Sequence, residues 1–301
     1  MIDFNSLSLR DREWVTHRLL EDDRQACEYS FANNFLWSDI YGVKMAKEQG
    51  CLIFQFQEQE KNQNQEYRYT IPIGAGNRKG ALDALLAMEQ ARGSQLVLST
   101  LMQKDLDWLE RNYPGKYTVE TNRDDYDYVY STEKLSTLSG RKLHGKRNHI
   151  ARFKDDNNWM YRDMMPEDAA ECMRLLDIWK EAESENWNDE MENELHINRI
   201  ALRNLADLVL DGGMLYKGGR LVAFSIGEPL NSDTYVVHIE KALASVQGAY
   251  PMINQQFVLH HCQDFAYVNR EEDTGDEGLR KAKLSYQPVL LVEKYEARFQ
   301  L

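Results

Sequence analysis

No stretch of the 301 residues approaches the roughly 18 consecutive apolar residues that a membrane-spanning helix requires, and the opening "MIDFNSLSLRDREW" lacks the apolar core of a secretory leader. A cytoplasmic protein without a transmembrane segment is the expectation. Paired cysteines are missing too. Cys27, Cys51, Cys172 and Cys262 are scattered, with no CxxC and no paired CxH spacing, so they read as reduced thiols, and neither a metal site nor a disulfide is expected. Positive charge is short: 36 Lys+Arg against 49 Asp+Glu leave a net charge of -13. A surface of that sign repels phosphate within a Debye length, which argues against DNA or an anionic membrane as a broad partner. Any anionic ligand must find a local cationic site.

What is present is material for a core. Apolar residues make up 43% of the chain and include six tryptophans, while 28% charged residues cover the surface. The length exceeds the roughly 250 residues at which a single core stops growing, so two domains are expected. In the first half, "SLRDREWVTHRLLEDD" starts like a capping box and reads as a helix. "CLIFQFQ" and "EYRYTIPI" read as strands joined by the exposed loop "EQEKNQNQ". "RKGALDALLAMEQARG" places Leu82, Leu85, Leu86 and Glu89 at helical spacing and stops at Gly93. The strand "QLVLST", a helix carrying Met102, Leu106, Leu109 and Tyr113 on one face, and the strands "KYTVET" and "YDYVYS" follow.

The second half is more clearly punctuated. After the strand "WMYRDM", Pro166 opens a helix with Cys172, Leu175, Leu176 and Trp179 on one face. The acidic "EAESENWNDEMENE" reads as a solvated loop or frayed helix end, and another helix closes at Gly212 and Gly213. "MLYKGGRLVAFSIGEPL" is a hairpin turning at Gly218 and Gly219. A third strand, a helix with Pro251 in its first turn, a short strand, the helix "GLRKAKLSY" and the strand "VLLVEKYEARF" complete the order β α α β β β α β α β. That order resembles the GNAT (acyl-coenzyme A N-acyltransferase) fold, and the first half reads as a degenerate copy without a letter-by-letter repeat. The expected layout is α/β, with two tandem GNAT-like domains of mixed sheets flanked by helices: a degenerate one over 1–138, a basic connecting helix over 139–156 and a second domain over 157–301.

Residues 269–288, "NREEDTGDEGLRKAKLSYQP", crowd acids into one half and cations into the other. Asn269, Glu272, Asp273, Gly275, Gly278, Leu279, Arg280, Lys283, Tyr286 and Pro288 together resemble the C-terminal signature of the phosphatidylglycerol lysyltransferase catalytic-domain family. A Gly-Leu opening with a lysine at the position of Lys283 is similar to the Fem-type aminoacyltransferases as well. Both families resemble tandem GNAT-like domains that move an aminoacyl group from charged tRNA to an amine or hydroxyl. The membrane-spanning half of full lysyltransferases is not among these 301 residues and the acidic surface disfavours anionic lipid, so phosphatidylglycerol is not the expected acceptor.

The chemistry has its own logic. Attack of an amine or hydroxyl on an ester makes a tetrahedral oxyanion, and a preorganised cation in a dry site stabilises it by a few kcal/mol. Lys283 and Lys281 both have the right type. In a helix from Gly278, Arg280 and Lys283 are three apart and share a face, whereas Lys281 points elsewhere. The resemblance puts Lys283 nearest the chemistry and Arg280 on a donor phosphate or terminal ribose, with Asn269 and Tyr286 in the same donor-binding group. A solvated basic helix balancing the acids is the plain alternative. Glu272 and Asp273 either orient the lysine or acceptor amine, or cap the helix that follows.

"SGRKLHGKRNHIARFK", residues 139–154, holds six Lys/Arg, two histidines and no acid. As a helix it gathers Leu143, Ile150 and Phe153 into a narrow apolar stripe while Arg141, Lys142, Lys146, Arg147 and Arg152 project around it. The lysyltransferase-like chains carry a Lys-Arg-Asn run in such a helix, here Lys146, Arg147 and Asn148. It either binds tRNA phosphates or a lipid headgroup, or neutralises nearby acids. His238 and Glu240, two apart on a strand, share a face; Glu240 is a candidate general base, with a plain polar pair as the alternative.

One motif is missing. Coenzyme A enzymes of this fold carry Arg/Gln-x-x-Gly-x-Gly/Ala before the central helix, whose N–H groups bind pyrophosphate. "ALASVQGAYP" has Gly248 and Ala249 but not that spacing, and "IGAGN" at 73–77 reads as a turn. The tyrosine acid that many acetyltransferases place in the last helix is not found, and Lys281 stands near its place. Aminoacyl transfer from aminoacyl-tRNA to an amine or hydroxyl is therefore the leading expectation. An acyl-coenzyme A N-acyltransferase and a non-catalytic module that binds RNA or phosphorylated ligands are the rivals.

Overall fold

The structure, a computed structural model, describes residues 2–59, 65–155 and 157–300. It divides into two compact units, the chain up to Asp127 together with the segment from Val292, and Tyr128–Leu291. The expected boundary at 138 and the basic segment 139–156 fall inside the second unit, because Leu143, Ile150 and Phe153 pack into that unit's core.

In the first unit the chain runs through β1 (Asn5–Ser6), α1 (Arg12–Asp22), α2 (Phe31–Leu36), α3 (Ser38–Tyr41) and β2 (Lys44–Glu48). It continues with β3 (Cys51–Gln59), β4 (Gln65–Tyr69), α4 (Arg78–Arg92), β5 (Val97–Leu101), α5 (Gln103–Asn112) and β6 (Tyr117–Thr121). Together with β14 (Tyr295–Phe299) they make a sheet of order β1-β2-β3-β4-β5-β14-β6. The antiparallel pair β3 and β4 is the expected hairpin; its "EQEKNQNQ" connection lies largely outside the described residues. Gly80 N–H donates to the capping Asn77 at the start of α4, and Gly93 at φ 72° ends it. Leu82 and Leu85 are buried as the spacing predicts. Glu89 is buried with them because the Tyr69 hydroxyl and Arg92 donate to its carboxylate at 2.7 and 2.8 Å.

The second unit holds β7 (Asp127–Ser131), α6 (Thr132–Thr137), α7 (His144–Lys154), β8 (Trp159–Asp163), α8 (Ala169–Ala182), α9 (Asp189–Arg203) and α10 (Leu205–Leu208). It continues with β9 (Asp211–Lys217), β10 (Arg220–Pro229), β11 (Thr234–Ala242), α11 (Ala249–His261), β12 (Tyr267–Asn269), α12 (Glu277–Leu284) and β13 (Leu290–Val292). The sheet order is β13-β7-β12-β11-β10-β9-β8, with β11 and β12 the parallel pair. Gly218 and Gly219, at φ 59° and 74°, make the two-residue turn of the β9–β10 hairpin that the glycine pair predicts.

Three expectations are corrected. Gly212 and Gly213 do not close a helix but lie inside β9, the helical segment ending with α10 at Leu208. The acidic connector is not all loop: Asn188 caps α9 and accepts from Met191 N–H, and Asp189, Glu190 and Glu192 occupy the first turn, where a helix dipole favours acids. The final "VLLVEKYEARF" is not one strand. Leu290–Val292 joins the second unit's sheet, whereas Tyr295–Phe299 inserts between β5 and β6 of the first. Between them the buried Lys294 is drawn to Glu28 and Asp127, and that interrupts the run.

Candidate functional site in the second unit

β11 and β12 run side by side only at Thr234–Val236 against Tyr267–Asn269. Beyond Val236, β11 continues to Ala242 with no strand paired to that edge among the described residues. A bulge adds to the local twist. Ile226 faces Ile239 and Gly227 faces Val237, so His238 is an extra residue on β11. A Cβ on Gly227 would collide with the carbonyl oxygen of Val236, so this close approach requires glycine.

The chain leaving β12 is held by the signature residues. The Asn269 side chain accepts from Glu271 N–H at 2.7 Å. Asp273, fully buried, accepts from Arg280 at 2.9 and 2.6 Å, from the Tyr128 hydroxyl at 2.5 Å and from Gly275 N–H at 3.0 Å. Burial alone would raise its pKa, but Arg280, Tyr128 and the Gly275 N–H outweigh it and hold the carboxyl well below the usual carboxylate range. Lys283 reaches back from α12. Its ammonium donates to the carbonyls of Arg270 at 2.6 Å, of Glu271 at 3.1 Å and of Glu272, and its own carbonyl accepts from the Tyr130 hydroxyl at 2.8 Å. Asn269, Asp273, Arg280 and Lys283, with the backbone of Glu272, therefore lock one turn. Asp276, not Glu272 or Asp273, caps α12, accepting from Leu279 N–H.

That turn presents Arg270 to the open side of β11. Arg270 Nη2 donates to Glu240 Oε1 at 2.8 Å, and Asn254 of α11 donates to Oε2 at 3.0 Å. The Glu240 and Arg270 side chains are only 11% and 12% exposed. The guanidinium lies 4.9 Å from the ring centroid of Tyr286, and the ammonium of Lys146, from α7, lies 3.9 Å from the same centroid. Burial and the Arg270 charge push Lys146 down to about 8, with Glu240 opposing. His238 Nδ1 pairs with Glu271 at 2.8 Å and Nε2 with Glu228 at 3.1 Å. Burial works against its charge, but the two carboxylates prevail and raise it to about 10.

The sequence candidates thus separate into groups. Glu240, Lys146 and Tyr286 meet at one place, and the signature residues form the turn beside it. Arg147 donates to the carbonyls of Leu138 and Gly140, bracing the α6–α7 connection. Lys142, Asn148 and Lys281 are exposed. Gly248 caps α11 at φ 85°, where a Cβ would collide with the His149 carbonyl oxygen of α7. Arg270 and Asn254 were not singled out by sequence. Arg270 sits inside the signature without a periodic partner, and Asn254 is an ordinary helix residue until it is seen beside Glu240.

In the first unit, Cys27, Glu28 and Asp127 bring ligand-type atoms within 4.8 Å of one another. The positive charge there is Lys294, whose ammonium lies 2.7 Å from Glu28, 2.6 Å from Asp127 and 3.6 Å from the Cys27 sulfur.

The family model described as phosphatidylglycerol lysyltransferase, C-terminal, matches residues 21–298. A solved structure of a conserved protein of unknown function from Bacteroides thetaiotaomicron is 36% identical, with all of each chain covered and a TM-score of 0.93. The fold is shared with L-PGS from Bacillus licheniformis, 15% identical over 95% of this chain and 91% of that one at a TM-score of 0.64. It is also shared with FemX, 9% identical over 99% and 97% at 0.65. Among curated proteins, an uncharacterised protein of Mycoplasmoides gallisepticum is 25% identical over 201 residues, 64% of this chain and 61% of that relative's length. No helix among the described residues is long and apolar enough to cross a membrane.

Proposed function

The chain belongs to the phosphatidylglycerol lysyltransferase C-terminal family, and from that premise we propose that it transfers an aminoacyl group from an aminoacyl-tRNA to an amine or hydroxyl acceptor. The observation that carries this reading is the meeting of Lys146 with Tyr286, Arg270 and Glu240 at the open edge of β11, in a chain of net charge -13. α7 brings cations to a semi-buried carboxylate there, while Lys142, Arg141 and Arg152 stay exposed on the same basic segment to meet a polyanion. In this reading Glu240 accepts a proton from the attacking amine or hydroxyl, and Arg270 with Lys146 supplies positive charge for the oxyanion that attack creates.

Lys283 takes a different part from the one its chemistry first suggests. All three of its donors go to backbone carbonyls, so its role in this reading is to hold the turn that aims Arg270, with Arg280 doing the same through Asp273. A coenzyme A donor is disfavoured by the start of α11, where α7 packs close against Gly248. The test is transfer from a mixed aminoacyl-tRNA pool to small amine and hydroxyl acceptors, with acetyl-coenzyme A in parallel and salt varied. Transfer from tRNA that falls steeply with salt, and is lost in Lys146→Ala, is the expected result. Acetyl transfer with no use of tRNA would overturn the reading.

A further inference from the structure

One hydroxyl lies along the unpaired edge of β11. Leu243 N–H donates to the Val222 carbonyl at 2.9 Å, so the N–H of the preceding residue, Ala242, points away from β10 and toward the open side. The Tyr250 hydroxyl oxygen accepts that N–H. Tyr250 stands in the first turn of α11, four residues before Asn254, and shares its face. Asn254 meets Glu240 and Tyr250 meets Ala242, so two side chains of α11 match two rows of β11. Those rows are about 7 Å apart along the strand. That is roughly the span of two hydrogen bonds with the two exchanging substituents of one tetrahedral carbon between them.

The contact with Ala242 uses an oxygen lone pair of Tyr250 and leaves its O–H to donate to a ligand. The residue is 37% exposed, so a ligand can reach it. Burial of the hydroxyl end and the carboxylates of Glu240, Glu194 and Glu183 push it up to about 12, against the Ala242 N–H, so the group keeps its proton at neutral pH.

We propose that Tyr250 is the acid for the departing oxygen of the transfer, a role that rests on the transfer reading. The acceptor nitrogen or oxygen attacks the ester carbon and gives its proton to Glu240. The carbonyl electron pair moves to oxygen, then returns as the bond from that carbon to the ribose oxygen breaks. The ribose oxygen takes the Tyr250 proton, and the Glu240 carboxylic acid returns a proton to the phenolate, directly or through water. The products are the aminoacylated acceptor and a free ribose hydroxyl, with both side chains restored.

Steady-state transfer by the full chain and by Tyr250→Phe tests it, with the mixed aminoacyl-tRNA pool and a thioester of the amino acid transferred as donors. A thiolate departs without a proton, so only the tRNA reaction needs the acid. Tyr250→Phe is expected to lower kcat from aminoacyl-tRNA about 100-fold, with KM for the tRNA unchanged and the rate from the thioester equal to wild type. Tyr250→His, which offers another proton donor, is expected to restore part of the tRNA rate. Equal kcat for Tyr250→Phe and wild type with aminoacyl-tRNA overturns the acid role and leaves the transfer reading standing. Equal losses with both donors also overturn it, because they mark a structural part for the hydroxyl. A wild type that draws on no aminoacyl-tRNA removes the transfer reading, and the acid role falls with it.

Discussion

Lys146 holds its ammonium 3.9 Å from the ring centroid of Tyr286, joining the basic α7 to the segment just after α12. One residue is a mid-chain cation and the other belongs to the terminal signature, so their contact brings those two segments together at the candidate site.

Lys146 is lowered from 10.5 to about 8. Between those values the unfolded chain binds more protons than the folded one, so folded-state stability rises with pH. Wild type is therefore expected to gain about 1 kcal/mol relative to Lys146→Met between pH 8 and 10.5, the full shift being discounted for solvent screening. Urea midpoints at pH 7, 9 and 10.5 check this, and an unchanging difference would refute it.

Lys283→Met leaves the carbonyls of Arg270, Glu271 and Glu272 without their donor. A loss of about 3 kcal/mol is expected, against less than about 0.5 kcal/mol for the exposed Lys281→Met. Denaturant melts of the pair decide it; similar values for both would mean that Lys283 does not hold the turn.

His238, raised from 6.5 to about 10, contributes stability that is fully present below pH 6.5 and lost as pH rises through about 10. His238→Gln should therefore be less stable by about 3 kcal/mol at pH 6, with the gap narrowing near pH 10. Nitrogen NMR should find both ring nitrogens protonated at pH 8, and a neutral imidazole there would contradict the assignment.

Gly248→Ala forces a side chain onto a φ of 85° and into the His149 carbonyl. It is expected to cost about 2 kcal/mol and to loosen α7 from α11. Faster amide exchange in α7, confined to that helix, is the signature; unchanged exchange would show that the contact is not needed.

Much of the architecture was legible in sequence. Apolar spacing placed α4 through Leu82 and Leu85, and paired glycines placed the β9–β10 turn, since both signals are local. The divided final strand was not legible, because "VLLVEKYEARF" has an unbroken strand pattern and only the distant partners of Lys294 interrupt it. The site behaved in the same way. Lys146, Glu240 and Tyr286 stood in recognisable segments, whereas Arg270 and Asn254 acquire meaning only beside Glu240, which lies 30 and 14 residues away in the chain.

The amino-acid order alone determined the alternation of helices and strands, the shortage of positive charge and the family signature, because each is carried by neighbouring residues. Folding decided which cations serve the turn and which face the open strand edge. Lys283 turned inward because three carbonyls converge on it, and Lys146 was left half-buried over the Tyr286 ring, where burial and the Arg270 charge lower its pKa.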